Sequence, residues 1–339
     1  MDRMAKFGND LYTGARSFNF VGRRKIWYII AAVMILASVL LPIARGGFVF
    51  GIEFRGGSEF QVGKIADFDG DSIARQDLAT ETVNDTVAGL SPHVTTIGDD
   101  AVRVQTDQLT SAQSDDVREA LATAFDVDRS DVTASFIGPS WGADITSAAL
   151  RALVIFVILA GIVMALYFRT WKMSLAAIIA LVHDIVITAG VYGALGFEIT
   201  PSAVIGFLTI LGYSLYDTVV VFDKIRENTT EDGAESTRTF AESVNLAVNQ
   251  TLVRSINTGV VAALPVAAIL FIGAVVLGAG TLRDIALSLL VGILIGTYST
   301  IFLAAPLYSQ LRENEPDLQR RTQRTTTVRS TAGTTGAVR

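Results

Sequence analysis

The sequence predicts a polytopic α-helical membrane protein of six transmembrane helices, with an extracytoplasmic α+β domain of ferredoxin-like arrangement between spans one and two. Half of the 339 residues are apolar and the mean hydropathy is +0.46, which is too hydrophobic for an ordinary globular enzyme of this size. Apolar runs near or above the ~18-residue spanning threshold recur along the chain. A single acidic stretch of about 100 residues separates the first run from the others.

The first apolar run follows a basic segment, 1–25, and is expected to remain as a membrane anchor. It is longer than the core of a signal peptide and is not followed by a small-x-small cleavage site. Pro201 marks the turn between spans three and four, because proline disfavours helix at the residue before it. Spans two to six form a bundle over 151–309. The predicted spans are 26–44, 152–168, 173–197, 199–222, 258–280 and 285–307.

The distribution of Lys and Arg predicts that both termini are cytoplasmic. In the six-span arrangement, 18 of the 27 basic residues fall on the side of the termini. That side also holds a polar loop, 223–253, in which apolar positions suggest a short amphipathic helix. The tail, 310–339, is rich in Arg, Thr and Gly and is expected to be disordered.

The α+β domain, 45–150, is strongly acidic. Between residues 46 and 150 there are 18 Asp and Glu against six Lys and Arg, which argues against nucleic acid as a partner. The order of its elements is β, α, β, β, α, β, which is ferredoxin-like and hosts many unrelated functions. The predicted elements are extended segments over 48–62 broken at Gly56 and Gly57, a helix over 72–90, strands at 93–97 and 101–105 around Gly98-Asp99-Asp100, a helix over 112–125 and a strand at 132–137.

Asp217 is the leading candidate for a functional residue. It lies seven residues before Lys224, and therefore about 10 Å up the helix from the first charge at the membrane edge. A carboxylate at a helix centre costs upwards of ~2.5 kcal/mol. Such a residue usually faces a bundle interior, a partner charge or a water-filled path. The alternative is a shallow, wet carboxylate that only orients a neighbouring helix.

Arg254 is the candidate partner of Asp217, since the two lie at the same ends of consecutive spans. Its guanidinium reaches the carboxylate only if the side chain extends far or if span five starts earlier than the hydropathy indicates. In a buried pair, protonation of Asp217 would break the ion pair and act as a switch. A proton that crosses the membrane field gains about 2.3 kcal/mol per 100 mV, which is enough to drive such a switch.

The other ionisable residues in the spans have both functional and structural interpretations. His183 and Asp184 lie near the middle of span three, where Asp184 either takes part in a relay or hydrogen-bonds a neighbouring helix. Asp284 and Arg283 lie at the start of span six. This position favours a structural role for Asp284, because an acid stabilises the first turn of a helix. Gly292 and Gly296 form a GxxxG motif that indicates close helix packing. The chain contains no Cys, and we predict no enzyme activity, no metal and no bound cofactor.

Five segments resemble motifs of the SecD/SecF family of protein translocase subunits, and together they span 46–308. They read GIEFRGGSEFQV at 51–62, LVHDIVITAG at 181–190, GYSLYDTVVVFDKIREN at 212–228, NQTLVRSINT at 249–258 and LRDIALSLLVGILIGTYSTIF at 282–302.

The resemblance implies half of a transporter of the resistance-nodulation-division type, completed by SecD in a prokaryotic cytoplasmic membrane. Its partners would be the SecYEG channel, an unfolded preprotein and membrane lipids, and its energy source the proton gradient. The proton-relay acid of the family's YSLxD motif falls on Asp217, and the arginine of its NQTLxR motif falls on Arg254. Tyr216 departs from the family, where many relatives have Asn, and its hydroxyl is a candidate replacement.

Three other functions fit parts of the pattern. A small-molecule or lipid exporter of the same superfamily would be expected to carry both halves on one chain and larger outer domains. A passive scaffold of the translocon would not need Asp217. An intramembrane aspartyl protease would share a Tyr-Asp pair such as Tyr216 and Asp217, but the sequence has no GxGD motif.

Overall fold

The computed structural model describes residues 2–65, 71–98, 100–231, 238–273 and 280–334. Within these residues six helical segments are long and apolar enough to cross a membrane, which confirms the six-span prediction. In chain order the elements are α1 (Asp2–Tyr12), α2 (Arg24–Ala44), β1 (Val49–Phe50), α3 (Ile52–Arg55), β2 (Gly57–Val62), α4 (Ser72–Thr86), β3 (His93–Ile97), β4 (Ala101–Thr106), α5 (Ser111–Ala124), β5 (Val132–Ile137), α6 (Pro139–Phe168), α7 (Trp171–Leu195), β6 (Glu198–Ile199), α8 (Pro201–Glu231), α9 (Phe240–Phe271), α10 (Gly280–Ser299), α11 (Ala305–Arg312) and α12 (Pro316–Thr334).

The α+β domain has the ferredoxin-like topology that the element order predicts. Its antiparallel sheet has the order β3-β4-β2-β5, and α4 and α5 pack against it. Phe60 lies opposite Val104 on one side and Ala134 on the other. Phe60, Val62, Val102 and Val104 are fully buried, because alternate residues of paired strands face the same side of a sheet. These side chains form the domain core with the inner faces of the two helices.

The entry to this domain differs from the predicted extended chain. Residues Ile52–Arg55 form one helical turn, α3, before the chain enters β2. Gly57 then adopts φ +143°, and a Cβ there would clash with the carbonyl oxygen of Thr106, so only glycine fits. The helix predicted over 72–90 ends at Thr86, and Asp99 of the predicted turn lies outside the described residues.

A second, two-stranded sheet joins the domain to the bundle, and the sequence analysis did not predict it. The short strand β1 pairs in parallel with β6, which lies in the turn between spans three and four. Val49 is paired with Glu198, and Phe50 with Ile199. The first turns of α6 also pack on α3, where a Cβ at Gly142 would lie 2.6 Å from the carbonyl oxygen of Phe54. The domain therefore contacts the bundle through the pairing of β1 with β6 and through α3.

The predicted polar loop 223–253 is largely helical. The helix α8 runs on to Glu231, residues 232–237 lie outside the described part of the chain, and α9 begins at Phe240 behind a capping box of Thr239 and Glu242. The predicted amphipathic helix and span five are thus one continuous helix, which starts well before 258. Its polar residues bind the amino-terminal segment: Asn245 accepts from the backbone N–H of Phe20 at 2.8 Å.

The terminal segments are more ordered than their composition indicates. The helix α1 packs on α9 with Leu11 fully buried, so the basic segment 1–25 is not a free extension. The tail predicted to be disordered forms α12 over Pro316–Thr334. Glu315, just before α12, accepts a hydrogen bond from Lys172 at 2.9 Å, and Leu318 packs on the bundle core. Residues 335–339 lie outside the described part of the tail.

The GxxxG motif of span six packs against span four. A Cβ at Gly292 would clash with the side chain of Ile210, and one at Gly296 would lie 3.1 Å from Ser214. The two helices α8 and α10 accordingly approach each other closely along this face, as small-residue motifs in membranes allow.

We expect Gly292→Leu to destabilise the bundle by about 1–3 kcal/mol, because it forces an added side chain into a packed interface. The measurement is thermal unfolding of the purified protein in detergent. Gly212→Leu on α8 is the matched control, since a Cβ at Gly212 meets nothing within 4 Å. An equal loss of stability in both variants would show that the motif has no special role in packing.

Candidate functional site

Three buried acidic residues lie along the interior of the bundle, one each on α10, α7 and α8. Asp284, Asp184 and Asp217 are 5%, 0% and 4% exposed. Asp284 lies at the end of the bundle next to β6, where it contacts Thr200. Asp184 lies midway along α7, and Asp217 lies in the half of α8 that is farther from β6. The bundle interior therefore carries acids at three depths.

Asp184 is the centre of a cluster in which both of its own oxygens are bonded, although the buried Nε2 of His183 has no partner among the described residues. Its Oδ2 accepts hydrogen bonds from Ser214 at 2.6 Å and from Ser299 at 2.9 Å, and its Oδ1 lies 3.1 Å from Nδ1 of His183. These partners bring α7, α8 and α10 together at one point. Buried polar groups of this kind are stable when each atom has a partner. Both oxygens of Asp184 meet that condition.

Asp217 has only one of its two oxygens bonded. Its Oδ1 accepts a hydrogen bond from Ser255 of α9 at 2.9 Å. Its Oδ2 is buried and has no hydrogen-bond partner among the described residues. A buried acceptor without a partner costs about 1–3 kcal/mol, and more if it is charged. Of the three acids, Asp217 is thus the one with an oxygen left to bind a proton or a further group.

Among the described residues, neither Arg254 nor Tyr216 forms a hydrogen bond or an ion pair with Asp217, although the charge of Arg254 acts on that carboxylate. Both side chains are exposed and line a cavity of about 480 Å³, together with Asp223, Lys224 and Glu227. Among the ion pairs of the described residues, none joins Arg254 to Asp217 within 4.0 Å. We call this space the Arg254 cavity.

The reason for this placement is the direction of side chains on a helix. Successive residues of an α-helix point about 100° apart, so Ser255 and Arg254 cannot both point at Asp217. Ser255 is 1% exposed and faces Asp217, which leaves Arg254 turned toward the cavity beside it.

Asp284 has the contacts of a residue that fixes two helix ends. Its Oδ2 accepts from Thr200 at 3.0 Å, and its backbone oxygen accepts from the hydroxyl of Tyr192 at 2.6 Å. Arg283 lies 3.4 Å from its other carboxylate oxygen. These bonds tie the start of α10 to the turn between spans three and four.

The sequence analysis did not single out the hydroxyl residues that serve the acids. Ser214, Ser255 and Ser299 are nearly or fully buried, and each bonds an acid on another helix. A signal was available, because Ser214 precedes Asp217 by three residues and therefore lies one turn away on nearly the same face. Two further hydroxyl residues meet in the bundle interior, where the side-chain oxygens of Thr218 and Thr300 lie 3.0 Å apart.

Comparison with known proteins gives consistent results. The family model described as "Protein export membrane protein SecD/SecF, C-terminal" matches residues 117–314. Protein translocase subunit SecF of Streptomyces coelicolor is 45% identical over 94% of this chain and 83% of that protein. The SecF subunit of Mycobacterium tuberculosis strain CDC 1551 is 39% identical over 98% of this chain and 75% of its own length.

A solved structure agrees with the fold. The crystal structure of SecDF from Thermus thermophilus, a translocon-associated membrane protein, superposes with a TM-score of 0.74 at 29% identity. The match covers 88% of this chain but 39% of that protein, so the chain spans about two fifths of the fused relative. The matches of sequence and of fold together place the chain in the SecD/SecF family of protein export membrane proteins, as an auxiliary subunit of the Sec protein translocase.

Proposed function

We propose that this chain joins a SecD subunit and uses the proton motive force to promote export of preproteins across the cytoplasmic membrane. The partners in this proposal are SecD, the SecYEG channel and an unfolded preprotein. Support for SecD comes from the fused SecDF relative, in which the matched region is 39% of one longer chain. The six spans of this chain are half of the twelve that a transporter of this superfamily needs.

The unbonded oxygen of Asp217 is the observation that carries the proposal. A carboxylate held by one serine and buried among helices binds a proton at low cost, because protonation removes a buried charge. Asp184 already has a partner for each oxygen, which suits it to hold three helices together. We therefore assign proton transfer to Asp217.

Arg254 becomes the partner of Asp217 in the state in which Asp217 has lost its proton. After the proton leaves, the carboxylate of Asp217 is an anion, and the guanidinium of Arg254 is the nearby cation on α9. A rotation of α9 by about a quarter turn exchanges Ser255 for Arg254 at the carboxylate, because neighbouring residues of a helix point about 100° apart. The loss and gain of one proton thereby becomes a movement of span five against span four.

The proposed orientation places the α+β domain outside the cell. In the six-span arrangement, 18 of the 27 Lys and Arg fall on the side of the termini, opposite the α+β domain. The domain then faces emerging preproteins with its acidic surface. The exposed apolar faces of α2 and α6, with Leu36, Leu159 and Leu166, are left for lipids or for SecD.

A transport measurement with the intact assembly tests the proposal. Vesicles that contain SecYEG and SecD, with or without the full chain, export a labelled preprotein in the presence and absence of an imposed proton gradient. We expect the gradient to increase export only in vesicles that contain the chain. If the chain increases export equally with and without the gradient, it acts as a passive scaffold and the proposal is wrong.

A further inference from the structure

A second group of acids lies where the α+β domain meets the bundle, outside the series that contains Asp217. Its centre is Glu198 of β6, in the turn between spans three and four, paired with Val49 of β1. Glu198 is 8% exposed, although it belongs to a connection between two helices. The backbone N–H of Gly51 donates to the carbonyl oxygen of Ile199 at 2.9 Å and fixes the chain beside it.

The side chains of Glu198 and Glu53 point into the same space beside Gly51, where the α+β domain meets the bundle. We call this contact between the domain and the bundle the joint. A Cβ built on Gly51 would contact Oε2 of Glu53 and would lie 3.5 Å from Oε1 of Glu198. Each of these two oxygens is buried and has no hydrogen-bond partner among the described residues. The absent side chain of Gly51 therefore leaves a space into which two carboxyl oxygens point.

Gln105 borders the same space from the sheet of the α+β domain. It is 2% exposed, its Nε2 donates to Glu59 at 3.0 Å, and its Oε1 has no partner within the described chain. Gln105 also acts on Glu198, where it favours the ionised form. A carboxylic acid, unlike a carboxylate, has an O–H to donate to an acceptor of this kind.

The charged groups around Glu198 come from every element packed at the joint, and acids exceed bases among the buried ones. Arg103 of β4 lies 3.8 Å from Glu59 and acts on Glu198 as well. On α10, Arg283 is paired with Asp284, whose charge reaches Glu53. Arg55 and His93 of β3 are two further groups in the same region. Arg55 is exposed, and its charge acts on His93.

Burial governs the protonation of the two central acids. It raises the pKa of Glu198 to about 7; Gln105 and Arg103 oppose the shift, and Glu53 and Glu59 add to it. Burial likewise raises the pKa of Glu53 above its ordinary value. Two carboxyl groups that approach each other in a buried space bind a proton between them, because both cannot be ionised at low cost.

We propose that Glu198 and Glu53 form a second proton-binding site, distinct from Asp217, which holds the α+β domain closed on the bundle when it is protonated. The proton is bound by one carboxyl group and donated to the other, or to Gln105. Its release to the solvent leaves two carboxylates facing each other across the joint, and their repulsion favours separation of β1 from β6. The site would respond to the pH on the side of the α+β domain.

The sign of the pH dependence follows from the raised pKa of an acid. Closure binds the proton more tightly than the open joint does, so the stabilisation of the closed form is complete at low pH and is lost as pH rises. The window runs from the ordinary value of 4.5 to about 7. Across it the ratio of closed to open forms falls by up to about tenfold per pH unit.

The experiment uses distances between two spin labels on the full chain in lipid nanodiscs. Because the sequence has no Cys, Ser135→Cys on the domain and Leu195→Cys on the bundle give two unique attachment sites. We expect a short distance at the low end of the window, and a longer one to replace it as the pH rises from 4.5 to about 7. Glu198→Gln, which stays neutral, keeps the short distance up to pH 8, whereas the exposed Glu81→Gln on α4 titrates like the unsubstituted chain.

A second measurement remains decisive if Glu198→Gln perturbs the fold. Infrared difference spectra of the full chain between pH 5 and pH 8 should contain a protonated-carboxyl band that persists in Asp217→Asn. Three outcomes would each overturn the second site. The distances could stay constant from pH 5 to pH 8, or the Glu198→Gln variant could titrate like the unsubstituted chain. The third is loss of the infrared band in Asp217→Asn alone. The first two outcomes do not bear on whether Asp217 couples protons to export, and the third would assign the protonated carboxyl to Asp217.

Discussion

Asp217→Asn is expected to remove the gradient-dependent part of preprotein export while leaving the assembly intact. The amide has nearly the shape of the carboxylic acid, and its oxygen still accepts the hydrogen bond that Ser255 donates to Oδ1. It cannot bind or release a proton at neutral pH. The bias that one proton supplies, ~2.3 kcal/mol per 100 mV, corresponds to roughly fiftyfold in an equilibrium, so its loss is a large effect.

The measurement is export by vesicles with SecYEG, SecD and the variant chain, with and without an imposed gradient. Asp144→Asn is the matched control, because Asp144 is an exposed acid near the start of α6, away from the Arg254 cavity, and the substitution makes the same change of charge. Ser255→Ala is the intermediate case: it removes the hydrogen bond to Asp217 but keeps the titrating group, so we expect a reduced and not an abolished response. An Asp217→Asn variant that still responds fully to the gradient would transfer the proton-carrying role to another acid.

Asp184→Ala is expected to destabilise the bundle more than any other single change discussed here. The substitution leaves the hydroxyl of Ser214 without its acceptor, leaves Ser299 with only its 3.2 Å hydrogen bond to the carbonyl oxygen of Gly296, and opens a cavity where three helices meet. Unsatisfied buried polar groups and a cavity together cost ~3 kcal/mol or more. The loss should appear as a fall of roughly 5–10 °C in the unfolding midpoint of the purified chain in detergent.

Two variants separate this structural role from proton transfer. Asp184→Asn keeps one carbonyl oxygen for a serine and should lose less stability, and its export should still respond to the gradient. Asp144→Ala, at an exposed acid near the start of α6, controls for the loss of an acidic side chain and should leave the midpoint unchanged. A stable Asp184→Ala protein whose export has lost its gradient response would instead make Asp184 the proton carrier.

The two proposed proton sites differ in what surrounds them and therefore in what they are able to do. Asp217 lies between membrane-spanning helices with one bonded and one unbonded oxygen, which suits a group that changes partner during a cycle. Glu198 lies in a two-stranded sheet that joins the α+β domain to the bundle, which suits a group that sets the position of the domain. A translocase subunit that moves chains outward needs both a source of energy and a part that moves.

The sequence by itself determined the number of spans, the topology of the α+β domain and the position of the buried acids. These features depend on local properties: length of apolar runs, alternation of side chains along strands, and the cost of a charge in a hydrophobic segment. Asp184 and Asp217 stood out because each interrupts an apolar run, whatever the neighbouring helices do. The family motifs located the same residues without reference to their contacts.

The tertiary structure alone decided which groups meet. Whether Ser255 or Arg254 faces Asp217 depends on the rotation of α9, which is set by packing along its whole length from Phe240. The charged and polar residues before 258 read as a surface loop because their partners, such as the amino-terminal chain at Phe20, lie far away in sequence. The juxtaposition of Glu198 with Glu53 has the same origin, since it arises from strand pairing between distant segments and no local pattern records it.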